Sequence, residues 1–154
     1  MWKNIDTEQE LMEFLEIYSF HDCCLKELRY VSGAFVNHSL GMSPINNKRK
    51  LYVIFQRQFE SNAVVEIEFS GLENLNLRPN DENYTCEILD VAFFFENGKI
   101  YWGDSNWFKE QRELYNGTWL CAQKARWRIA DEYIGSDEVY CAIKEVNNDV
   151  KNNL

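Results

Sequence analysis

The chain has 154 residues, of which 45% are hydrophobic and 15% aromatic, and its formal net charge at pH 7 is −9. This length suits one domain with its own core, and the composition excludes a disordered or low-complexity chain. The excess of acids argues against nucleic-acid binding, because phosphates are contacted mainly by Lys and Arg. The sequence therefore predicts one domain over residues 1–146, followed by a frayed tail at 147–154.

The N-terminus is acidic after Lys3 and has no apolar run of signal-peptide type, and no apolar stretch of membrane-spanning length occurs in the chain. The five cysteines are an odd number, and none of them forms a C-x-x-C pair. Without an export signal they are expected to be reduced thiols. We therefore expect a cytoplasmic protein with no cofactor, no metal and no membrane partner.

The first predicted element is a helix near the N-terminus. Thr7 and Glu10 have the T-x-x-E spacing of a capping box. Apolar side chains then follow at helical spacing, at Leu11, Phe14, Leu15 and Tyr18. The opposite face carries Glu10, Glu13 and Glu16. The pattern predicts about a dozen helical residues, with one face packed on the domain and an acidic face in solvent.

After this helix, the chain shows short runs rich in Val, Ile, Phe, Tyr and Trp, which are typical of strands. The predicted strands are LKELRYV (25–31), AFVN (34–37), LYVIFQRQF (51–59), AVVEIEFSGL (63–72), CEILDVAFFF (86–95), KIYWG (99–103), TWLCAQKARWRI (118–129) and VYCAIKEV (139–146). Hairpin turns are predicted at 60–62 and at Asn97-Gly98. The segment 104–117 is predicted to be a loop or a short helix.

These elements predict an α+β fold, in which one N-terminal helix precedes a mostly antiparallel sheet of seven or eight strands. A sandwich and a partly open barrel both remain possible arrangements. In the strand at 63–69, Ala63, Val65, Ile67 and Phe69 alternate with Val64, Glu66 and Glu68. Such alternation indicates one buried face and one solvated face.

The stretch SFHDCCLKEL, at 19–28, is the first candidate for chemistry. If the chain is extended there, the period of two places His21 and Cys23 on one face, as a thiolate–imidazole pair would require. The alternative is structural: Phe20 packs under the helix, while His21 and Asp22 hydrogen-bond to the backbone where helix gives way to strand. We favour the structural role, because no further group completes a mechanism and no spacing typical of a zinc site occurs.

The second candidate is the basic stripe Lys124, Arg126 and Arg128, which the period of two places on one face of a strand. Together with Lys48, Arg49 and Lys50, it could form a patch for a phosphate or a carboxylate. The alternative is that Glu66, Glu68 and Glu87 lie opposite the stripe and form cross-strand ion pairs. We favour the ion pairs.

The third candidate is the end of the strand at 99–103. Trp102, Asp104 and Trp107 are close in sequence, and such a group could stack on a sugar or a base and hydrogen-bond its hydroxyls. The alternative is that Trp102 packs in the core, and that Trp107 and Phe108 attach the following loop to it. The sequence favours this packing role.

Several segments together resemble a group of small uncharacterised bacterial proteins with an F-H-D element near the N-terminus. The matching segments are Trp2, FHDCCLKEL at 20–28, Tyr30, Ser32-Gly33, LYVIFQRQF, VEIEFSGLENLNL, KIYW and ARWR. The resemblance covers most of the chain, and the group is similar to immunity proteins encoded beside bacterial toxins. It implies a small β-rich binder and assigns no catalytic residue.

We therefore expect a non-enzymatic protein-binding module, of the immunity-inhibitor kind, with a basic protein as its partner. The alternative function is a small-molecule or sugar-binding domain that uses the Trp-rich strand ends, and an enzyme built on Cys23 and His21 is the third class. The residues assigned to binding on these grounds are His21, Asp22, Trp102, Asp104, Trp107, Lys124, Arg126 and Arg128.

Overall fold

The computed structural model describes residues 1–140. It contains the helices α1 (Glu8–Ile17) and α2 (Trp107–Glu110) and two turns of 3-10 helix, at Arg112–Leu114 and Asp131–Tyr133. The strands in this part of the chain are β1 (Lys3–Ile5), β2 (Cys24–Val31), β3 (Phe35–Val36), β4 (Met42–Ser43), β5 (Lys50–Gln56), β6 (Val64–Asn76), β7 (Ala92–Glu96), β8 (Lys99–Gly103) and β9 (Trp119–Ile129).

Seven of these strands form one antiparallel sheet: six follow the order β2-β5-β6-β9-β8-β7, and the seventh, β1, pairs with β9. The long strand β9 has two neighbours on its second side: β8 pairs with its first half, and β1 pairs with its second half. Strands β3 and β4 form a separate two-stranded sheet. The predicted α+β class is confirmed, and the sheet is open rather than a closed barrel.

The predicted helix and its capping box are both present. The Thr7 side chain accepts from the Glu10 backbone N–H at 3.1 Å, and the Glu10 carboxylate accepts from the Thr7 backbone N–H at 3.1 Å. Leu11 and Phe14 are buried against the sheet, and the Phe14 ring centroid lies 4.7 Å from that of Trp127. The helix thus packs its apolar face on strand β9, as the spacing predicts.

An arginine side chain from just after β5, rather than a residue of the helix itself, stabilises the C-terminus of α1. The last turn of α1 has no basic residue. The buried Arg57, which follows β5, donates instead to the carbonyl oxygens of Ile17 at 3.2 Å and Ser19 at 3.4 Å. Its guanidinium lies over the rings of Tyr18 and Phe59, at 4.1 and 3.8 Å from their centroids. The cation therefore meets the negative end of the helix dipole inside the core.

The central strand β6 is covered on both faces, so the predicted solvated face is wrong. Val65, Ile67 and Phe69 lie in the core beneath α1. On the other face, Val64 packs in a second cluster with Ile54, Ala63, Ala130, Tyr133 and Tyr140. Glu66 and Glu68 on that face are each only 4% exposed. Segments distant in sequence cover this face, which is why alternation alone did not reveal its burial.

Several predicted boundaries need correction. The strand predicted at 51–59 ends at Gln56, and the one predicted at 86–95 begins at Ala92, because 86–91 belongs to an irregular segment. Residues 139 and 140 are not a strand, and both 141–146 and the predicted tail at 147–154 lie outside the described residues. The short strands β1 and β4 were not predicted.

Other local predictions are confirmed. Asn97 and Gly98 both have positive φ, 51° and 74°, in the tight turn between β7 and β8. The segment 104–117 contains α2 and a turn of 3-10 helix, so it is both loop and short helix. Within residues 1–140, no helix has the length and apolarity needed to cross a membrane.

The position of Arg57 predicts a large effect of its removal. Arg57→Met keeps most of the side-chain volume but leaves the helix carbonyls without their donor, so the free energy of unfolding should fall by about 2–3 kcal/mol in urea denaturation. Lys124→Met, at an exposed position on β9, is the control and should change it by less than about 0.5 kcal/mol. Equal effects of the two substitutions would contradict the capping role.

Candidate functional site

The F-H-D element forms a turn between α1 and β2. Phe20 is buried and packs edge-on against Phe14 and Tyr18, as the structural alternative predicts. Asp22 has a φ of +59°, and its backbone N–H donates to the Ile88 carbonyl at 2.9 Å. The exposed His21 places its Nδ1 3.1 Å from the Asp22 carboxylate. The element fixes the chain path and leaves His21 and Asp22 in solvent.

His21 and Cys23 do not form a catalytic pair. Residues 21 and 22 are a turn rather than extended chain, so the expected shared face does not exist. Cys23 is fully buried in the core and forms an isolated β-bridge with Ile88. Burial raises the pKa of the Cys23 thiol to about 12. At neutral pH this group is a protonated thiol in an apolar setting, which does not act as a nucleophile.

The basic stripe is paired with acids across the sheet. In the register of β6 and β9, Glu66 lies opposite Arg128 and Glu68 lies opposite Arg126. Arg128 Nε donates to the Glu66 carboxylate at 2.5 Å, and Arg126 Nε donates to that of Glu68 at 2.9 Å. The predicted cross-strand ion pairs are confirmed for these two acids. The prediction is wrong for Glu87, which lies in the segment between β6 and β7.

Lys50 and Trp2 also contact the side chains of these ion pairs. Lys50 Nζ lies 3.0 Å from the second oxygen of Glu68, so one member of the Lys48–Lys50 run does join the stripe. The ring of Trp2 lies 4.7 Å from the Arg126 guanidinium and 5.3 Å from that of Arg128. Lys124, by contrast, is exposed and lies opposite Ser70. The two arginines are thus committed to acids and to an aromatic ring, which leaves Lys124 as the accessible cation of the stripe.

The structure separates the third candidate group into two places. Trp102 and Asp104 both line a cavity of about 500 Å³, whereas Trp107 does not line it. Trp107 is 60% exposed at the start of α2, and its neighbour Phe108 is fully buried. Phe108 therefore attaches the loop to the core as predicted, while the same prediction is wrong for Trp107.

The cavity lies between the end of β8 and the segment 77–88. Its other apolar lining residues are Leu25, Leu77, Pro79, Tyr84 and Ile88, and its polar lining residues are Arg78, Asn80, Asp81, Glu82, Cys86, Glu87 and Thr118. A volume of this size is within the range of small-molecule sites. Sequence reasoning missed this wall, because residues 77–85 have no periodic pattern and the predicted strand at 86–95 begins only at Ala92.

Hydrogen bonds fix one wall of the cavity. The Asp104 carboxylate accepts from the Tyr115 hydroxyl and, at 3.1 Å, from the Thr118 backbone N–H. The Thr118 hydroxyl accepts from the Arg78 backbone N–H at 3.0 Å and donates to the Arg78 carbonyl at 3.2 Å. Burial and the Asp104 contact raise the pKa of Tyr115, so that its hydroxyl stays a donor. These hydrogen bonds hold this wall of the cavity in place.

A second feature, which sequence reasoning did not single out, is the arm formed by residues 33–47 with β3 and β4. Its large apolar side chains are between 56% and 85% exposed, and they are Phe35, Val36, Leu40, Met42 and Ile45. Residues 30–47 contain no Asp, Glu, Lys or Arg. This uncharged stretch is the signal in the sequence that could have identified the arm.

The arm is ordered by its own hydrogen bonds. At its tip, the Asn37 side chain accepts from the backbone N–H groups of Ser39 at 3.0 Å and Gly41 at 2.9 Å. At its base, the Ser32 carbonyl accepts from the N–H groups of Lys48 and Arg49, both at 3.1 Å. The exposed apolar side chains therefore project from a backbone that hydrogen bonds hold in one conformation.

A scan against protein-family models and searches of curated proteins and of solved structures find no match to this chain. Among the described residues, no group of three or more His, Cys, Asp or Glu side chains is placed to hold a metal ion.

The burial of Cys23 predicts its reactivity. At pH 8, a pKa raised to about 12 leaves almost no thiolate at Cys23, whereas Cys86 is exposed. N-ethylmaleimide should therefore modify Cys86 within minutes and leave Cys23 unmodified, as located by tandem mass spectrometry. All five cysteines should react in denaturant. Modification of native Cys23 at the rate of Cys86 would show that the thiol is activated and accessible.

Proposed function

We propose that this protein is a non-enzymatic protein-binding module and that the arm of residues 33–47 is its main contact surface. The observation that carries the proposal is the set of exposed apolar side chains on this uncharged arm. The centres of protein interfaces are depleted of charged residues and rich in aromatic and Met side chains. Phe35 and Met42 fit this composition.

The fixed conformation of the arm supports the same proposal. A surface that is already folded loses less conformational freedom on binding, so more of its contact free energy appears as affinity. The hydrogen bonds of Asn37 at the tip and of Ser32 at the base give this preorganisation. Exposed apolar groups on an ordered arm also mark an interaction site more strongly than the same groups scattered over a surface.

The charge of the chain suggests the chemistry of the partner. The net charge is −9, and the solvent face of α1 exposes Glu13 and Glu16. A basic protein would be attracted over long range, which raises its association rate at low salt. Together with the resemblance to immunity proteins, this favours an inhibitor that binds a basic protein partner through an apolar centre and an acidic periphery.

The first test uses the purified product of the gene adjacent to this one as the binding partner. Phe35→Ser combined with Met42→Ser removes two side chains from the arm, and it should raise Kd at least about tenfold in calorimetric titration, mainly through faster dissociation. The matched control is Leu89→Ser with Leu114→Ser, which removes two exposed apolar side chains outside the arm. The control should change Kd less than about twofold.

A second variant distinguishes the contribution of the acidic face of α1 to the binding kinetics from that of the arm. Glu13→Gln with Glu16→Gln should slow association at low salt several-fold and leave dissociation nearly unchanged. The helix should be retained, because Gln and Glu have similar helix propensities. Absence of a complex with the wild type, or equal loss in the arm variant and its control, would contradict the proposal.

A further inference from the structure

A second cavity, of about 700 Å³, lies where β2 begins and β5 ends, and three cysteines line it: Cys23, Cys24 and Cys86. Their exposure to solvent differs. Cys23 is fully buried, Cys24 is half-buried and Cys86 is exposed. Two thiols that share one cavity can become a disulfide when an oxidant reaches one of them. Whether they do so depends on the backbone that carries them.

The backbone brings Cys24 and Cys86 together. Cys23 and Ile88 form an antiparallel bridge, in which the Ile88 N–H donates to the Cys23 carbonyl at 2.8 Å. Because the two segments run in opposite directions, Cys24, one residue after the bridge, and Cys86, two residues before it, lie on the same side of it. Adjacent antiparallel chains are about 5 Å apart, and disulfides join Cα atoms about 4.4–6.8 Å apart. The bridge therefore gives this pair a spacing that a disulfide can span.

The electrostatics of the two thiols agree with this geometry. Burial raises the pKa of the Cys24 thiol, and the nearby Cys86 thiol raises it further. A second ionisable thiol has such an effect only at short range, because it disfavours a second negative charge beside it. The shared cavity, the backbone bridge and this mutual effect all indicate that the two sulfur atoms are neighbours.

The other cysteines of the described chain are not placed for this reaction. Cys23 lines the cavity, but its thiol is fully buried and its pKa is raised to about 12. Cys121, on β9, is buried and lies outside the cavity lining. The exposed Cys86 is therefore the thiol that meets an oxidant from solvent, and Cys24 is the thiol within its reach.

We propose that Cys24 and Cys86 are a redox modification site, at which a small disulfide such as glutathione disulfide converts the two thiols into an intramolecular disulfide. This bond would tie the irregular segment 77–91 to the start of β2. The site is separate from the arm and does not depend on the arm being a protein-binding surface.

The reaction consists of two thiol–disulfide exchange steps. The Cys86 thiolate attacks one sulfur of the small disulfide, whose S–S bond breaks and releases one small thiolate. Cys24, after losing its proton to solvent, then attacks Cys86 Sγ in the mixed disulfide and releases the second small thiolate. The two protons given up by the cysteines end on the two released small thiols. The protein loses two electrons, and the small disulfide gains them.

The test equilibrates the native protein in glutathione buffers of increasing oxidised fraction and counts free thiols by alkylation and mass spectrometry. The wild type should lose two of its five thiols, and tandem mass spectrometry should locate the link between Cys24 and Cys86. The same titration in urea is the reference, because the unfolded chain must close the long loop between these residues. The equilibrium constant for the disulfide should be at least about tenfold larger in the native protein.

Three variants assign the roles of the thiols. Cys24→Ser should accumulate a glutathione adduct at Cys86 and form no internal link, because the attacking thiol is kept and its partner is lost. Cys86→Ser, at an exposed position, should form neither the adduct nor the link. Cys121→Ser is the matched control, since it removes a thiol outside the cavity lining, and it should keep the link.

The oxidised wild type also tests the tie between the segment 77–91 and β2. Amide hydrogen exchange at residues 84–88 should slow at least several-fold relative to the reduced protein, because the disulfide holds this part of the cavity wall against β2. Exchange in the arm should be unchanged. An equal rate at 84–88 in the two redox forms would contradict the tie.

Three further results would overturn the proposal. The first is a native wild type that keeps all five thiols free, or stops at a glutathione adduct, in the most oxidising buffer. The second is an equilibrium constant that is equal in the native and unfolded chains. The third is a link between any other two cysteines or between two protein molecules. Each can occur while the arm still binds a protein partner, so failure here is distinguishable from failure of the proposed function.

Discussion

The pairing of two β6 carboxylates with two β9 guanidinium groups is the interaction on which the rest of the structure depends. Glu66 and Glu68 lie on the central strand and are each 4% exposed, and a buried carboxylate without a partner is strongly destabilising. The antiparallel register places Arg128 and Arg126 directly opposite them. Because the charges are matched, the second face of the sheet can be covered, as Trp2 and the segment 131–140 cover it.

This pairing also determines which surfaces remain for binding. The arginines that looked like an anion site are committed to the fold, and Cys23 is a buried thiol with a raised pKa. Among the surfaces of the described chain, the exposed apolar side chains of the arm are the ones that we propose for a protein partner.

The features predictable from the sequence are those set by local spacing. The T-x-x-E at Thr7 and the Asn-Gly at 97–98 specify a cap and a turn through residues adjacent in the chain. The period of two likewise predicted that Glu66 and Glu68 could meet arginines. Burial of that face was not predictable, since it depends on Tyr133 and on other residues far away in sequence. The cavity wall at 77–88 is irregular, and its position depends on contacts such as that of Ile88 with Cys23.

The central claim is that Glu66 is buried because Arg128 neutralises it, and a double-mutant cycle on this pair tests it most directly. The cycle compares Glu66→Gln, Arg128→Met and the double variant by urea denaturation. The account predicts a coupling free energy of about 2 kcal/mol or more, with the double variant less destabilised than the sum of the single ones. A coupling below about 0.5 kcal/mol, as exposed surface pairs give, would contradict it.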